Sequence, residues 1–284
     1  MYTNLLKAIT NIKNLGEYDF DEIYSKNLEN ISSNPIQSTC GNLETFVKDS
    51  FSNSFYESDK LKFHSKYFSY SGNANNPPDS MLKNGDAIEV KKMISDFRQV
   101  QLNSSFPKNK LYSNDPLLNR SCVECEDWSK KDMLYAFGIV KNNTQLQSLS
   151  FIYGDCFAAD EEVYLKVKHN LTETIRDIPN SKSTNELGRI NNVDPLGITN
   201  LRVRGMWILK NPYKIFEDIF HYDSMDDFNL FCLMPEYKFN SFPKHDRNSI
   251  LGDDEIICEE VKLIDPNNTI NQINSVFIRY DING

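Results

Sequence analysis

Apolar and polar residues alternate with a period of two between residues 86 and 91, which predicts a half-buried β-strand. In such a strand the side chains of Glu89 and Lys91 point to the same face. The dipeptide Asn84-Gly85 just upstream is typical of a tight type I′ hairpin turn. We therefore predict a β-hairpin in which the segment before the turn runs back antiparallel and places Asp79 alongside Glu89.

The other apolar patterns predict an α/β order along the chain. Apolar residues recur at helical spacing from near Gly41 onward, and two later apolar runs suit buried central strands. The predicted elements are a helix carrying Leu43, Phe46, Val47, Phe51 and Phe55, strands at 68–70, 134–140 and 149–153, and a helix with an acidic first turn at 160–176. Residues 180–192 are polar and aperiodic, which favours a loop or a subregion boundary. This order predicts a mixed β-sheet with helices on both faces.

Asp79, Glu89 and Lys91 are the residue types that a metal-dependent phosphodiesterase needs at one place. A phosphodiester is anionic, and a bound divalent ion relieves the repulsion that an attacking hydroxide meets. Two carboxylates suffice to hold Mg²⁺, because this ion keeps several waters. A lysine beside them can orient the attacking water and offset charge in the transition state. The alternative is that a Glu and a Lys two apart on a strand form only a solvated face.

The sequence around the hairpin is more specific than these three residues alone. The relevant segments are Gly72 to Asp79, Lys83 to Lys92, Leu102 to Ser105 with Pro107-Lys108 and Lys110-Leu111, Trp128 with Lys131-Asp132, Tyr153-Gly154, and Leu201 to Trp207 with Asn211-Pro212. Together they resemble the NgoPII-like family of type II restriction endonucleases. The resemblance runs from Gly41 to Phe216.

The resemblance implies a fold and a reaction. The fold is that of the PD-(D/E)xK nuclease superfamily, an α/β restriction-endonuclease-like core with a central mixed β-sheet flanked by helices. The reaction is Mg²⁺-dependent cleavage of double-stranded DNA, with Mn²⁺ as a substitute, and it leaves 5′-phosphate and 3′-hydroxyl ends. The type member of the family recognises GGCC. The resemblance implies the reaction of this chain more strongly than it implies this target sequence.

Glu44 matches an acidic position of the same family, on the helix that precedes the hairpin. The resemblance implies that a third carboxylate there holds a second ion or a water. The alternative is an i,i+4 pair with Lys48, worth only ~0.3 kcal/mol.

Length and composition bound the domain organisation and the compartment. A chain of 284 residues with 39% hydrophobic residues can form one large core with an appended subregion. We expect residues 1–180 to form the N-terminal helices and the catalytic core, and residues 181–284 to form a C-terminal subregion of the same unit for DNA recognition, dimerisation or both. No apolar run approaches the ~18 residues of a membrane span, and the first fifteen residues lack the apolar run of a secretory signal. We expect a cytoplasmic protein of a bacterium.

The six cysteines are scattered rather than clustered, which favours free thiols over a disulfide framework. Cys122 and Cys125 form one C-x-x-C motif without a second pair or spaced histidines. Structural zinc is the alternative interpretation of this motif.

Charge is segregated along the chain, although the formal net charge is −9. Residues 60–131 carry a net charge of +4, and residues 201–214 carry four basic residues and no acidic one. Residues 215–260 carry a net charge of −9. We expect the two basic stretches to face DNA phosphates and the acidic stretch to face away, since Lys and Arg supply sequence-independent DNA affinity.

The first cluster expected to contact DNA follows the catalytic strand. Asn103 is of a type that pairs with adenine, while Ser104 and Ser105 can bond to bases or phosphates. Lys108 and Lys110 beside them are expected to contact phosphates and so to orient the enzyme. The alternative is a polar turn with both lysines in solvent.

The second cluster is the alternation Arg202-Val203-Arg204, which places both guanidinium groups on one face of a strand. Arginine bonding to guanine is the commonest specific contact, so a target containing G·C pairs is expected. Trp207 is predicted to pack in the core rather than to stack on DNA.

Three hypotheses follow from different functional classes. The leading hypothesis is a homodimeric endonuclease acting on double-stranded DNA at a short palindromic site, because two-fold symmetry matches two nicks. It implies a cognate DNA methyltransferase in the same cell. The alternatives are a DNA-binding protein that does not cleave and a metal-dependent phosphoesterase of small substrates.

Overall fold

The computed structural model describes residues 1–24, 35–73, 76–184 and 186–282, with the backbone alone for residues 35–40 and Asn103. The helices are α1 (Leu5–Leu15), α2 (Phe20–Tyr24), α3 (Pro35–Ser52), α4 (Lys60–Tyr67), α5 (Arg120–Val123), α6 (Glu161–Arg176), α7 (Pro212–Ile215), α8 (Glu236–Ser241) and α9 (Lys244–Leu251). The strands are β1 (Phe68–Asn73), β2 (Asn76–Leu82), β3 (Ala87–Met93), β4 (Val100–Asn103), β5 (Lys110–Tyr112), β6 (Lys130–Lys141), β7 (Gln145–Tyr153), β8 (Ser181–Lys182), β9 (Gly188–Ile190), β10 (Leu201–Val203), β11 (Trp207–Leu209), β12 (Phe228–Pro235), β13 (Ile257–Asp265) and β14 (Asn268–Ile282). Among these helices, none combines the length and the apolar character that crossing a membrane requires.

The large sheet has nine strands in the order β1-β2-β3-β6-β7-β12-β14-β13, with β5 paired to β6 outside this path. Strand β3 runs parallel to β6 and β7 runs parallel to β12, whereas the other pairs along this path are antiparallel. The central strands β7 and β12 are almost entirely buried, as expected for strands covered on both faces. The prediction of an α/β fold with a central mixed sheet flanked by helices is confirmed.

The predicted hairpin is present, and its register is fixed by two pairs, Ser80 with Ile88 and Met81 with Ala87. The turn type was predicted wrongly. The N–H of Gly85 donates to the carbonyl of Leu82 at 3.1 Å, and Asn84 has a φ of 52°. The turn therefore runs from Leu82 to Gly85, with Lys83 and Asn84 at its centre. A type I′ turn needs positive φ at both central positions, and here only Asn84 has it.

Helix α3 carries the predicted apolar stripe, which packs in the core. Phe46 and Val47 are fully buried. The helix begins at Pro35 rather than near Gly41, and the fixed φ of proline suits this first helical position. It ends at Ser52, so Phe55 is buried just beyond the helix. Where α3 crosses β6, Gly138 lies beneath Leu43.

Gly138→Ala should destabilise the fold, because a Cβ there would lie 2.7 Å from Leu43 Cδ1. We expect the free energy of unfolding to fall by about 1–3 kcal/mol, the usual cost of overpacking a core. The matched control is Gly41→Ala on helix α3, because a Cβ at that position would meet no atom within 4 Å. We expect this control to raise the free energy of unfolding by roughly 0.5–1 kcal/mol. Urea unfolding measures both values. Equal stability of the Gly138→Ala variant and the native protein would contradict the contact.

Strands β6 and β7 confirm the two predicted central strands and are longer than predicted. They are joined by a tight turn in which Asn142 and Asn143 have φ of 50° and 69°. The N–H of Thr144 closes the turn by donating to the carbonyl of Lys141 at 3.1 Å. Asparagine tolerates this left-handed conformation better than other non-glycine residues, which explains a type I′ geometry here.

A small three-stranded sheet, in the order β10-β9-β8, lies beside α6. Residues 180–192 were predicted as a loop or a subregion boundary, and β8 and β9 lie within them. These strands are only two and three residues long, too short to show a periodic pattern. Residues 228–282 then return to the large sheet as β12, β13 and β14.

Candidate active site

Continued by one residue beyond the pair of Ser80 with Ile88, the hairpin register sets Asp79 opposite Glu89. The carboxylate of Asp79 accepts a hydrogen bond from the backbone N–H of Val90 at 2.7 Å. Lys91 Nζ donates to Glu89 Oε1 at 2.5 Å, on the same face of β3. The side chains of this ion pair are about four-fifths buried. The local pattern of the sequence therefore brings two carboxylates and one ammonium group to one point.

Electrostatics at this point favour a cation between the carboxylates. Burial, and then the neighbouring Glu89 carboxylate, raise the pKa of Asp79 to about 7, against the opposing effect of Lys91. Burial alone would lower the pKa of Lys91, but Glu89 and Asp79 outweigh burial and raise it above its ordinary value. Burial also raises the pKa of Glu44. A divalent ion would remove the repulsion between the carboxylates.

The donor set fits a hard cation such as Mg²⁺. Asp79 and Glu89 offer carboxylate oxygens, and Mg²⁺ binds through one or two carboxylates while keeping several waters. In the part of the chain that the structure describes, no three His, Cys, Asp or Glu side chains are arranged to hold one ion. Glu44 lines the same cleft without completing such a group, so its role as a third ligand stays a prediction.

The triad opens into a cleft of about 540 Å³. The cleft is lined by Glu44, Asn73, Pro77, Asp79, Glu89, Val90, Lys91, Leu102, Ser104, Ser105, Arg204, Gly205 and Met206. Strand β4 pairs antiparallel with β11, so Asn103 lies opposite Trp207. This pairing joins the two segments that were predicted separately to contact DNA. The side chain of Asn103 lies outside the described residues, so its contact with adenine stays a prediction.

Lys108 and Lys110 were expected to contact phosphates, and in the fold both ammonium groups are paired with carboxylates, so this contact stays a prediction. Lys108 Nζ donates to Asp115 at 2.6 Å, and Lys110 Nζ donates to Asp132 at 2.7 Å and to Asp155 at 2.5 Å. Both side chains are at most 15% exposed. An ammonium group with buried carboxylate partners would have to leave them uncompensated to contact DNA, which is costly.

The guanidinium groups of Arg202 and Arg204 lie on the same side of this segment, as the alternation predicted, and both bind the carboxylate of Glu186. Arg202 Nη2 donates to Glu186 at 2.8 Å and Arg204 Nε donates to it at 2.6 Å. Both side chains remain more than 60% exposed. Arg204 lines the cleft, and β10 ends one residue before it. Glu186 had no local signal in the sequence that linked it to either arginine.

Trp207 packs as predicted. Its ring lies edge-on to Phe106 at 6.0 Å and to Tyr164 at 5.7 Å between centroids. Its neighbour Met206 is exposed and lines the cleft.

Two residues that the sequence analysis did not identify form hydrogen bonds to the segments just before and just after β3. Lys238 donates to Asp86, just before β3, and to Asp132, at 2.6 Å each. Asn211 donates to the backbone carbonyls of Ser95 and Arg98, just after β3, at 2.9 and 2.8 Å. Both contacts span more than a hundred residues, so no local pattern indicates them.

The five cysteines whose side chains the structure describes are free thiols, while that of Cys40 lies outside the described residues. Cys125 Sγ donates to the carbonyl of Cys122 at 3.1 Å. Burial, and then the neighbouring Cys125, raise the pKa of Cys122 to about 12.

Comparison with known proteins shows the family to which this chain belongs. The family model of the NgoPII restriction endonuclease matches residues 3–264. The type II restriction enzyme NgoPII of Neisseria gonorrhoeae is 39% identical over 283 residues, which cover 98% of this chain and 100% of that enzyme. No solved structure gives a significant match. Since the family model and this identity both extend along almost the whole chain, the protein belongs to the NgoPII family of restriction endonucleases and is an enzyme of that type.

Proposed function

We propose that this enzyme hydrolyses phosphodiester bonds of double-stranded DNA at a short palindromic site, with Mg²⁺ as its cofactor and Mn²⁺ as a substitute. The products are 5′-phosphate and 3′-hydroxyl ends, and the target is GGCC-like. The observation that carries the proposal is the register of β2 and β3, which faces Asp79 with Glu89 and leaves Lys91 beside them in an open cleft.

Asp79 and Glu89 would hold the divalent ion. When bound, such an ion supplies a Lewis acid for the scissile phosphate and lowers the pKa of its water. The N–H of Val90 fixes the orientation of the Asp79 carboxylate. The cleft beside these residues is wide enough to admit a phosphate and its water.

Lys91 would orient the attacking water and offset negative charge at the phosphate. Its ammonium group is held by Glu89, which keeps it beside the carboxylates before substrate binds. Its raised pKa keeps it charged at neutral pH. A preorganised cation in a partly buried site is worth more than the same charge in water.

Ser104, Ser105 and Arg204 are the proposed DNA contacts that line the cleft, joined by Arg202 and Asn103 next to them. Arginine to guanine pairing fits a G·C-rich target. We infer that the enzyme works as a homodimer on a palindrome. We also infer that the same cell carries a matching DNA methyltransferase, since unprotected sites would be cut.

Arg204→Ala should weaken DNA binding. The expected loss is about 1–3 kcal/mol for a contact with guanine, whereas a contact with phosphate would also reduce the slope of log affinity against log salt by about 1. Lys262→Ala removes the same charge from an exposed side chain that lies outside both basic stretches and outside the cleft lining, and it should leave both quantities unchanged. Fluorescence anisotropy with a duplex in Ca²⁺ measures affinity at several salt concentrations. Equal losses for the two variants would remove Arg204 from the proposed interface.

Digestion of one mapped plasmid by the purified protein tests the reaction. With Mg²⁺ we expect discrete fragments whose ends ligate directly and whose sequences share one palindrome. Protein that shifts DNA but never cuts it, with Mg²⁺ or Mn²⁺, would indicate a binding protein instead. Hydrolysis of nucleotides without cleavage of duplex DNA would indicate a small-substrate phosphoesterase.

A further inference from the structure

A small cavity adjoins the candidate active site. It has a volume of about 30 Å³, and Glu89 and Lys91 line both this cavity and the open cleft. Apolar side chains form much of its wall, and two of its polar side chains, Lys108 and Asp115, are already paired with each other. Its other polar side chains are those of Glu89, Lys91, Ser105 and Tyr135.

Tyr135 of β6 is the register partner of Glu89 on the parallel strand β3, so the two side chains point to the same face of the sheet. Only 3% of Tyr135 is exposed. Its ring lies parallel to Phe137 at 5.9 Å and edge-on to Phe157 at 5.1 Å between centroids. This packing holds the Tyr135 hydroxyl at a fixed place in the cavity wall.

The proton of the Tyr135 hydroxyl has no acceptor among the residues that the structure describes. A tyrosine hydroxyl donates one hydrogen bond and also accepts on its oxygen. The oxygen accepts from the backbone N–H of Lys108 at 2.8 Å. Burial raises the pKa of Tyr135 above its ordinary value, against the opposing effect of the Lys108 N–H, and the Glu89 carboxylate raises it further. The hydroxyl therefore keeps its proton, and a buried donor without an acceptor is costly.

Glu89 also has an oxygen available for a further hydrogen bond. Its Oε1 accepts from Lys91, whereas no side chain or backbone group in the described ranges donates to Oε2. Tyr135 and Glu89 form no direct hydrogen bond with each other, although they are neighbours on adjacent strands. A water molecule can bridge two such groups where it has about 10–15 Å³ of space and two to four polar partners. The cavity of about 30 Å³ meets both conditions.

We propose that this cavity binds an ordered water, which accepts the proton of Tyr135 and donates to Glu89 Oε2, and that Tyr135 is thereby a positioning residue for the Glu89 carboxylate. The inference rests on the proposed function, in which Glu89 is a ligand of the divalent ion. Ligating carboxylates are themselves fixed by hydrogen bonds from surrounding groups. Losing such a partner typically costs ~10–100-fold in metal affinity or activity.

Titration of the full chain with Mn²⁺, followed by electron paramagnetic resonance of the free ion, tests the proposal. We expect Tyr135→Phe to raise the Kd for Mn²⁺ about 10-fold, and Glu89→Gln to raise it further. The matched control is Tyr164→Phe, because the hydroxyl of Tyr164 also accepts a backbone N–H, that of Ala159 at 3.0 Å, and Tyr164 lines neither the cavity nor the cleft. Each substitution leaves one backbone N–H without its acceptor, so a merely structural loss would be the same in both. We expect Tyr164→Phe to bind Mn²⁺ as the native protein does.

The dependence of plasmid cleavage on Mg²⁺ separates positioning of the ligand from a direct part in the reaction. In Tyr135→Phe the half-saturating Mg²⁺ concentration should rise about 10-fold, while the rate at saturating Mg²⁺ should return to that of the native enzyme. A crystal structure of the native protein should show a water within hydrogen-bond distance of both Tyr135 Oη and Glu89 Oε2.

Three results would overturn the inference while the metal site stands: an unchanged Kd for Mn²⁺ in Tyr135→Phe, an equal loss of affinity in Tyr164→Phe, or a native crystal structure whose cavity is dry. A lower rate of Tyr135→Phe at saturating Mg²⁺, with an unchanged half-saturating concentration, would also overturn it. If Glu89→Gln binds Mn²⁺ as tightly as the native protein, Glu89 is not a ligand, and the proposed metal site fails together with the inference.

Discussion

Asp79→Ala and Lys91→Ala should each reduce DNA cleavage by at least about 10²–10³-fold, the usual effect of removing one preorganised group from a transition state. Asp79 would be one of two protein ligands of the ion, and Lys91 is the cation that touches the other. Both variants should still bind a specific duplex in Ca²⁺, because neither side chain is proposed to read bases. Cleavage rates on plasmid and affinities on a short duplex measure the two effects separately.

Lys92→Ala is the matched control, because Lys92 follows Lys91 on β3 and its ammonium group lies instead 3.3 Å from Asn143 Oδ1. Successive residues of a strand point to opposite faces. We expect this control to cut at a rate close to that of the native enzyme. If Lys91→Ala and Lys92→Ala reduce the cleavage rate equally, the reduction comes from the loss of any one positive charge, and the proposed role of Lys91 is wrong.

Lys238→Met should lower the free energy of unfolding by about 3–5 kcal/mol, since it leaves Asp86 and Asp132 without their shared buried cation. The side chain of Lys238 is 12% exposed, and its ammonium group joins the start of β3 to the start of β6. The corresponding fall in Tm is roughly 10 °C for a chain of this size. Calorimetry measures the change.

Lys244→Met removes an exposed lysine from the neighbouring helix α9 and should change stability by less than about 0.5 kcal/mol. The double variant Lys238→Met/Asp86→Asn should be less destabilised than the sum of its two single variants, because the charges are removed together. Additive losses would contradict a coupled pair.

The free energy of unfolding that is lost in Lys238→Met should also depend on pH. Burial alone would raise the pKa of Asp132, but Lys238 and Lys110 outweigh it and lower that pKa. A lowered carboxyl pKa stabilises the fold above its unfolded value of ~4, and this contribution is lost as pH falls through the folded value. The difference in stability between native protein and Lys238→Met should therefore shrink in acid. A difference in stability that stays constant as the pH falls through the acid range would exclude this coupling.

The hairpin that carries the candidate active site was predictable because its information is local. Period-two alternation, a Gly-containing turn and the spacing of Asp79 from Glu89 lie within one short segment. The central strands β6 and β7 were predictable for the same reason, since each apolar run is continuous. Turn type was not, because the turn has Lys83 and Asn84 at its centre rather than Asn84 and Gly85, and the sequence does not indicate this shift of one residue.

Contacts between distant segments were not predictable from one sequence. The pairing of β4 with β11 and the ion pair of Asp86 with Lys238 each join residues about a hundred or more positions apart. Lys110 illustrates the consequence. Its sequence neighbours suggested a phosphate contact, whereas Asp132, Asp155 and Tyr237 surround its ammonium group in the fold.

The central claim is that Asp79 and Glu89 together hold a divalent cation beside Lys91. Anomalous diffraction from a crystal soaked in Mn²⁺ tests it most directly, because Mn²⁺ scatters strongly and takes the same oxygen ligands as Mg²⁺. We expect one peak between the two carboxylates in the native protein and its loss in Asp79→Asn. A peak elsewhere, with none between Asp79 and Glu89, would contradict the account.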